Sequence, residues 1–146
     1  MNQEMQALVD LLHREACSCV VRNDTIRMFG QRGVADLYDM LITMPSMLCG
    51  ADVADKVVGK GAAALMILGR VRQVYADVIS SPAYDMLKDA GIDVTYDILV
   101  PGIRNRSGSG WCPVETLCRD CATAEECLPL ITGFVKRQRG AGEETE

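Results

Sequence analysis

Three stretches of the chain hold side chains able to do chemistry. The first is Asp55-Lys56-Val57-Val58-Gly59-Lys60-Gly61, the densest run of charge and glycine. Read as the start of a helix, it offers unpaired backbone N–H groups and two ammonium groups to an anion. Read structurally, the same residues cap a helix, solvate its surface and let backbone pack closely. It is not a phosphate-binding P-loop, because Ala54 stands where the leading glycine belongs and neither Ser nor Thr follows Lys60.

The second stretch runs from Arg104-Asn105-Arg106 to Trp111-Cys112-Pro113-Val114-Glu115. Two arginines flanking a turn suit a carboxylate or phosphate through paired donors, and Trp111 either stacks on a ring or covers core. Cys112 directly precedes Pro113 at a predicted helix start, where the backbone field activates a thiol. It is therefore a candidate nucleophile or acid/base group, with Lys60 or Glu115 assisting, against the alternative of a buried structural thiol. The third stretch is Cys112-x5-Cys118-x2-Cys121-x5-Cys127. Its inner pair suits a metal or a dithiol, but the outer spacings fit neither a regular zinc knuckle nor a ferredoxin. Zinc, an iron–sulfur cluster, a local redox pair and uncoordinated thiols all remain open for it.

His13 is the one histidine and falls on the polar side of a predicted helix, so a surface role is expected. That leaves Ser-His-Asp and Cys-His catalysis without a well-placed base. Asp77 and Asp85 read as ligand contacts or solvated caps. The candidate ligand contacts in the first half are thus Asp55, Lys56, Lys60, Asp77 and Ser80. Those in the second half are Asn105, Arg106 and Cys112.

These residues need elements to hold them. Met5, Leu8, Val9, Leu11 and Leu12 form one helical stripe over residues 3–15. Cys17 to Arg22 and Thr25 to Phe29 are β-prone runs around Asn23-Asp24, which predicts a hairpin. Gly30 and Gly33 bracket a turn into a helix that ends before Pro45. A long Ala- and Gly-rich helix is predicted from Asp52 to Leu68, capped by Asp52 or Asp55, with its small residues allowing close approach to a sheet. After a sharp reversal at Gly69-Arg70 comes a strand, Val71 to Ile79. Ser80-Ser81-Pro82 starts a helix to Ala90, and a second strand covers Ile92 to Leu99. This βαβ unit predicts parallel strands with a right-handed crossover. Helices follow at Pro113 to Cys121 and Ala124 to Arg137. The whole predicts a single α/β domain over 1–137, a three-layer α/β/α sandwich with a four-stranded mixed sheet. A Cys-rich helical extension begins at 111, and a disordered tail is expected over 138–146.

Length and composition agree with this reading. The chain has 146 residues, 49% hydrophobic and 24% charged, enough to bury a core. A net charge of −5 argues against a general nucleic-acid surface. No apolar run reaches the roughly 20 residues that span a bilayer, and the first residues do not read as a leader. A cytoplasmic protein is expected, and the seven cysteines are expected as thiols. The expected partner is a small polar or anionic molecule with no cofactor. A sheet edge or the first helix would serve a homodimer.

The order of elements resembles the cytidine-deaminase-like fold. Asp55-Lys56-Val57-Val58-Gly59-Lys60, Tyr75-Ala76-Asp77-Val78-Ile79-Ser80, Gly91-Ile92 and Asn105-Arg106 through Cys112-Pro113-Val114-Glu115 look like a small prokaryotic family of uncharacterised proteins assigned to that fold. The resemblance covers roughly Leu8 to Ile131. In the zinc deaminases a His-x-Glu motif opens the central helix and a Pro-Cys-x-x-Cys motif opens the next. The resemblance would place the first at Asp55-Lys56-Val57 and the second at Pro82-Ala83-Tyr84-Asp85-Met86, where three of the four chemical groups are missing. It therefore implies a deaminase-type cleft without the zinc motifs, between the starts of the central helix and the helix at Pro82.

Overall fold

The structure is a computed structural model that describes residues 2–31, 34–105 and 107–144, with side chains up to Gly140. Gly33, Arg106 and the end of the expected tail, Thr145 and Glu146, lie outside the described residues. A five-stranded sheet has the order β2-β1-β3-β4-β5, made of β1 (Cys19–Arg22), β2 (Ile26–Phe29), β3 (Asp52–Val58), β4 (Gln73–Ser80) and β5 (Asp93–Val100). β1 runs antiparallel to both of its neighbours, β2 and β3, whereas β3, β4 and β5 run parallel. The hairpin around Asn23-Asp24 and the parallel β4–β5 pair follow the sequence expectation.

The helices are α1 (Gln3–Arg14), α2 (Ala35–Thr43), α3 (Lys60–Leu68), α4 (Ser81–Asp89), α5 (Pro113–Cys118) and α6 (Ala124–Glu144). Alternation along the strands sorts two cores. Val20, Ala54 and Tyr75 join Met5, Leu8, Val9 and Leu12 of α1. Their neighbours Val21, Val53, Val74 and Ala76 face the opposite way, into the core shared with α2 to α6. Period-two alternation is what a strand between two helical layers produces.

The predicted helix from Asp52 to Leu68 is corrected here. Its first half is β3, and the sheet therefore has five strands, not four. Asp52 and Asp55 cap no helix, and Asp55-Lys56-Val57 lie within a strand, so the residues matched to His-x-Glu do not open the central helix. That helix begins after Gly59 with Lys60-Gly61-Ala62, still without histidine or glutamate. The last helix continues past Arg137 to Glu144, across the start of the expected tail.

The small residues of α3 do what their size suggests. Every residue from Lys60 to Met66 is buried. A methyl group added at Gly61 would collide with Val114 of α5 and touch Ile131 and Val34. Gly61→Ala is expected to lower stability by about 1–3 kcal/mol through overpacking, although alanine normally gains about 1 kcal/mol over glycine inside a helix. Thermal unfolding of Gly61→Ala, Val114→Ala and the double variant checks this. The double variant should lose less than the sum of the singles, and strict additivity would show that the two sites do not touch.

Candidate functional site

The carboxyl ends of β3, β4 and β5 lead into Lys60 at the start of α3, Pro82 in the first turn of α4, and the Pro101-Gly102 turn. In open parallel sheets this is the end where ligands gather. A cleft of about 350 Å³ opens there, lined by Lys60, Pro82, Pro101, Gly102, Trp111, Glu115, Thr116 and Arg119. A second cleft of about 390 Å³ shares Lys60 and Pro82 and extends past Met86 to Cys121 and Glu125.

Lys60 is the pivot between them. Its N–H donates to Glu115 Oε2 at 2.7 Å, and its ammonium Nζ donates to the carbonyls of Arg119 at 3.0 Å and Cys121 at 2.6 Å. The reason is local: Gly59, the cap of α3, has no side chain to satisfy the first turn, so a carboxylate from α5 does. A Cβ on Gly59 would stand 2.5 Å from Glu115 Oε2, so a side chain there would push this carboxylate off the Lys60 N–H. The other oxygen, Glu115 Oε1, is buried without a hydrogen-bond partner among the described residues.

Trp111 forms the upper wall. Ile103 to Asn105 pair with Gly110 to Cys112 through Asn105 N–H to Gly110 O and Cys112 N–H to Ile103 O, both 2.8 Å, with Arg104 and Trp111 paired across the bridge. The Arg104 guanidinium lies 4.4 Å over the indole ring, a cation–π contact, and a Cβ on Gly102 would meet the ring at 2.7 Å. Trp111 nevertheless stays 41% exposed.

The sequence-derived site residues disperse over this frame. Lys60 and Glu115 line the cleft. Ser80 is fully buried and caps α4 by accepting the Ala83 N–H. Lys56 is exposed on β3. Asp77 is in the α1 layer, where Tyr75 donates to it at 2.7 Å and His13 Nε2 lies 2.7 Å from it; His13 thus has a specific partner. Asn105 is absorbed in its own turn, accepting from Ser107 and Ser109. Cys112 is half-buried at the head of α5.

Asp55 is buried beside Cys19, its partner across the β1–β3 pair. Desolvation pushes its carboxyl up to about 7, against the opposing hydrogen bonds from the Val57 and Lys56 backbone, and Asp77 and Asp36 add to the rise. Burial, followed by the charge of Asp55, raises the Cys19 thiol as well. At the opposite end of β3, Asp52 joins Arg22, Arg72 and Gln73. Pro82 lines the cleft, at the helix start where the resemblance put it, whereas Pro101, Gly102, Thr116 and Arg119 were not legible as site residues, because only tertiary packing gathers them.

Among the described residues no group of three or more His, Cys, Asp or Glu side chains could hold a metal ion. The four-thiolate set proposed from spacing is not assembled: Cys112 heads α5 while Cys118 ends it. No described helix is long and apolar enough to cross a membrane.

These features define a mixed α/β domain with helices on both faces of a central sheet and a cleft at the carboxyl ends of its parallel strands. Residues 7–135 match the family TM1506, described as a domain of unknown function (DUF1893), and the chain belongs to that family. The crystal structure of a DUF1893 family protein (TM1506) from Thermotoga maritima, at 2.70 Å resolution, is similar with a TM-score of 0.83 and 21% identity, over 91% of each chain. That likeness is one of fold. No curated protein matches the sequence.

Proposed function

We propose that the cleft beside Lys60 binds a small anionic molecule carrying a flat ring, such as a nucleotide-like compound, without a resident zinc. The observation that carries this reading is the half-exposed Trp111 on the wall of a cleft whose charged lining is Lys60, Arg119 and Glu115, with Arg104 stacked on the indole. The volume suits a small ligand, at the lower end of the range for such sites. The deaminase-like reading of the fold is part of this proposal, supported by the position of the cleft between the starts of α3 and α4. Neither start carries the histidine, glutamate or paired cysteines that deamination needs.

Catalysis by Cys112 has less support. Glu115 is committed to the Lys60 N–H, and the Lys60 ammonium to two carbonyls. A thermal-shift panel of nucleotides, nucleosides and sugar phosphates, followed by the fluorescence of the one tryptophan, tests the proposal. A phosphorylated member is expected to give a saturable shift and to change the emission. Arg119→Ala should weaken its binding about tenfold, the effect of one charge-assisted hydrogen bond. A panel with no saturable response overturns the reading.

A further inference from the structure

α1 covers only part of its side of the sheet. It packs on β1 and β3, and its carboxyl end reaches β4 where His13 meets Asp77. Past that point the strand register steps from Asp55, Ala76 and Tyr96 to Val57, Val78 and Ile98, with Lys56, Asp77 and Asp97 as the row between. Ala54 faces α1 and so, two residues on, does Lys56. Tyr96 meets Tyr84 of α4 on the opposite side, which turns its neighbour Asp97 to the α1 side as well. Both pairings skip this charged row, and the alternation slips there by one residue. Val58 and Ile79 are buried in the opposite core, so the residues before them, Val57 and Val78, return to the α1 side with their register partner Ile98. Val57 is 46% and Ile98 51% exposed, an open apolar row edged by charge.

We propose that this open half-face is the interface of a two-fold homodimer, in which the two sheets stack with their strands aligned and Lys56 of each copy meets Asp97 of the other. Asp77 is already held by His13 and Tyr75. Lys56 and Asp97 are exposed, and their side chains have no hydrogen bond or ion pair among the described residues. They lie on β3 and β5, the strands that flank β4.

Charge selects this arrangement over the others that a second copy could adopt. A two-fold axis running along β4 between the stacked sheets lays β3 of one copy against β5 of the other, so the same opposite-charge pair forms twice. The apolar row then closes on itself, with Val57 against Ile98 and Val78 against Val78, at the spacing of about 10 Å usual for aligned sheets. An axis across the strands would instead set Lys56 against Lys56. Pairing β5 with β5 at the sheet edge would join two strands that each carry Asp93 and Asp97 and no basic residue.

Sedimentation of the full-length chain across the micromolar range tests this. The wild type is expected to give a species of twice the mass of one chain. Lys56→Glu and Asp97→Lys should each raise the dissociation constant more than tenfold, because each turns two attractions into two repulsions. The variant carrying both changes should regain the dimer, since the exchanged charges meet again. Ile98→Thr, which keeps a β-branched residue on the strand, should weaken the dimer as well and serves if a charge reversal fails to fold, with circular dichroism deciding which variants are folded. A wild type that stays monomeric, a dimer that neither a folded charge reversal nor Ile98→Thr weakens, or a folded double variant no more dimeric than its singles overturns the proposal.

Discussion

Replacing Asp52 with asparagine is expected to cost about 3 kcal/mol of folding free energy, the lower end for breaking a buried charge pair. The Asp52 side chain is only 5% exposed and faces Arg22, itself 20% exposed, at 2.5 Å and Arg72 at 2.7 Å. Gln73 adds a hydrogen bond at 2.8 Å. Removing the carboxylate leaves the largely buried Arg22 guanidinium with the Glu4 backbone carbonyl at 3.1 Å and the exposed Glu4 carboxylate at 3.5 Å in its place, while Arg72, 58% exposed, turns to water. Arg72→Ala should therefore cost much less, about 1 kcal/mol or below, as exposed pairs do. For a chain of this size, 3 kcal/mol lowers the melting temperature by roughly 6–12 °C. Equal, small losses in the two variants would show that the network contributes little.

Burial alone would raise the Asp52 carboxyl, but the hydrogen bonds from Arg22, Gln73 and Arg72, with the charge of Arg72, outweigh it and hold the group below its ordinary value. The folded state thus binds the proton more weakly than the unfolded chain. Its contribution is complete above about pH 4, the unfolded carboxyl value, and is lost as pH falls through the depressed folded value. Denaturant unfolding should show wild type approaching Asp52→Asn only in strong acid.

Asp55→Asn is expected to change sign with pH. With its carboxyl raised to about 7, the folded protein retains a proton that the unfolded chain releases near pH 4. Stability therefore falls as pH rises from about 4 to about 7 and levels off above that. Asparagine removes this penalty but brings amide donors into a buried site, costing roughly 1–3 kcal/mol if unpaired. The variant should be less stable than wild type at pH 4, where both states of the wild type still hold the proton in large part, and more stable at pH 8, by a few kcal/mol at most. A difference that is the same at pH 4 and pH 8 would refute a raised carboxyl.

Much of the fold was legible. The stripe of Met5, Leu8, Val9 and Leu12, the Asn23-Asp24 turn, Pro45, Ser80 with Pro82, and Gly91 each mark their elements by local chemistry, and each boundary falls near its expected place. The failure at Asp52 to Val58 also has a physical cause. β3 lies between two strands and under helices on both faces, so its apolar residues do not alternate cleanly with polar ones and merge with the apolar helix that follows. The β-branched Val53, Val57 and Val58 before Gly59, against Ala, Leu and Met after it, were the signal that separates the two.

The site was legible only in part. Lys60, Trp111 and Glu115 stand out by residue type, and the cleft unites them. Asp77 and Asp55 stand out equally but are drawn into the α1 layer and the interior beside Cys19. Arg119 carries no motif and enters through the packing of α5 against α3.

The charged anchor around Asp52 sits at the amino end of β3, and the cleft opens beyond its carboxyl end, roughly 20 Å away at the rise of an extended strand. The residues that anchor the sheet and those that line the cleft are thus largely different. On the proposed reading, the cleft lining, and with it the compound recognised, can be exchanged by substitution without loss of the scaffold.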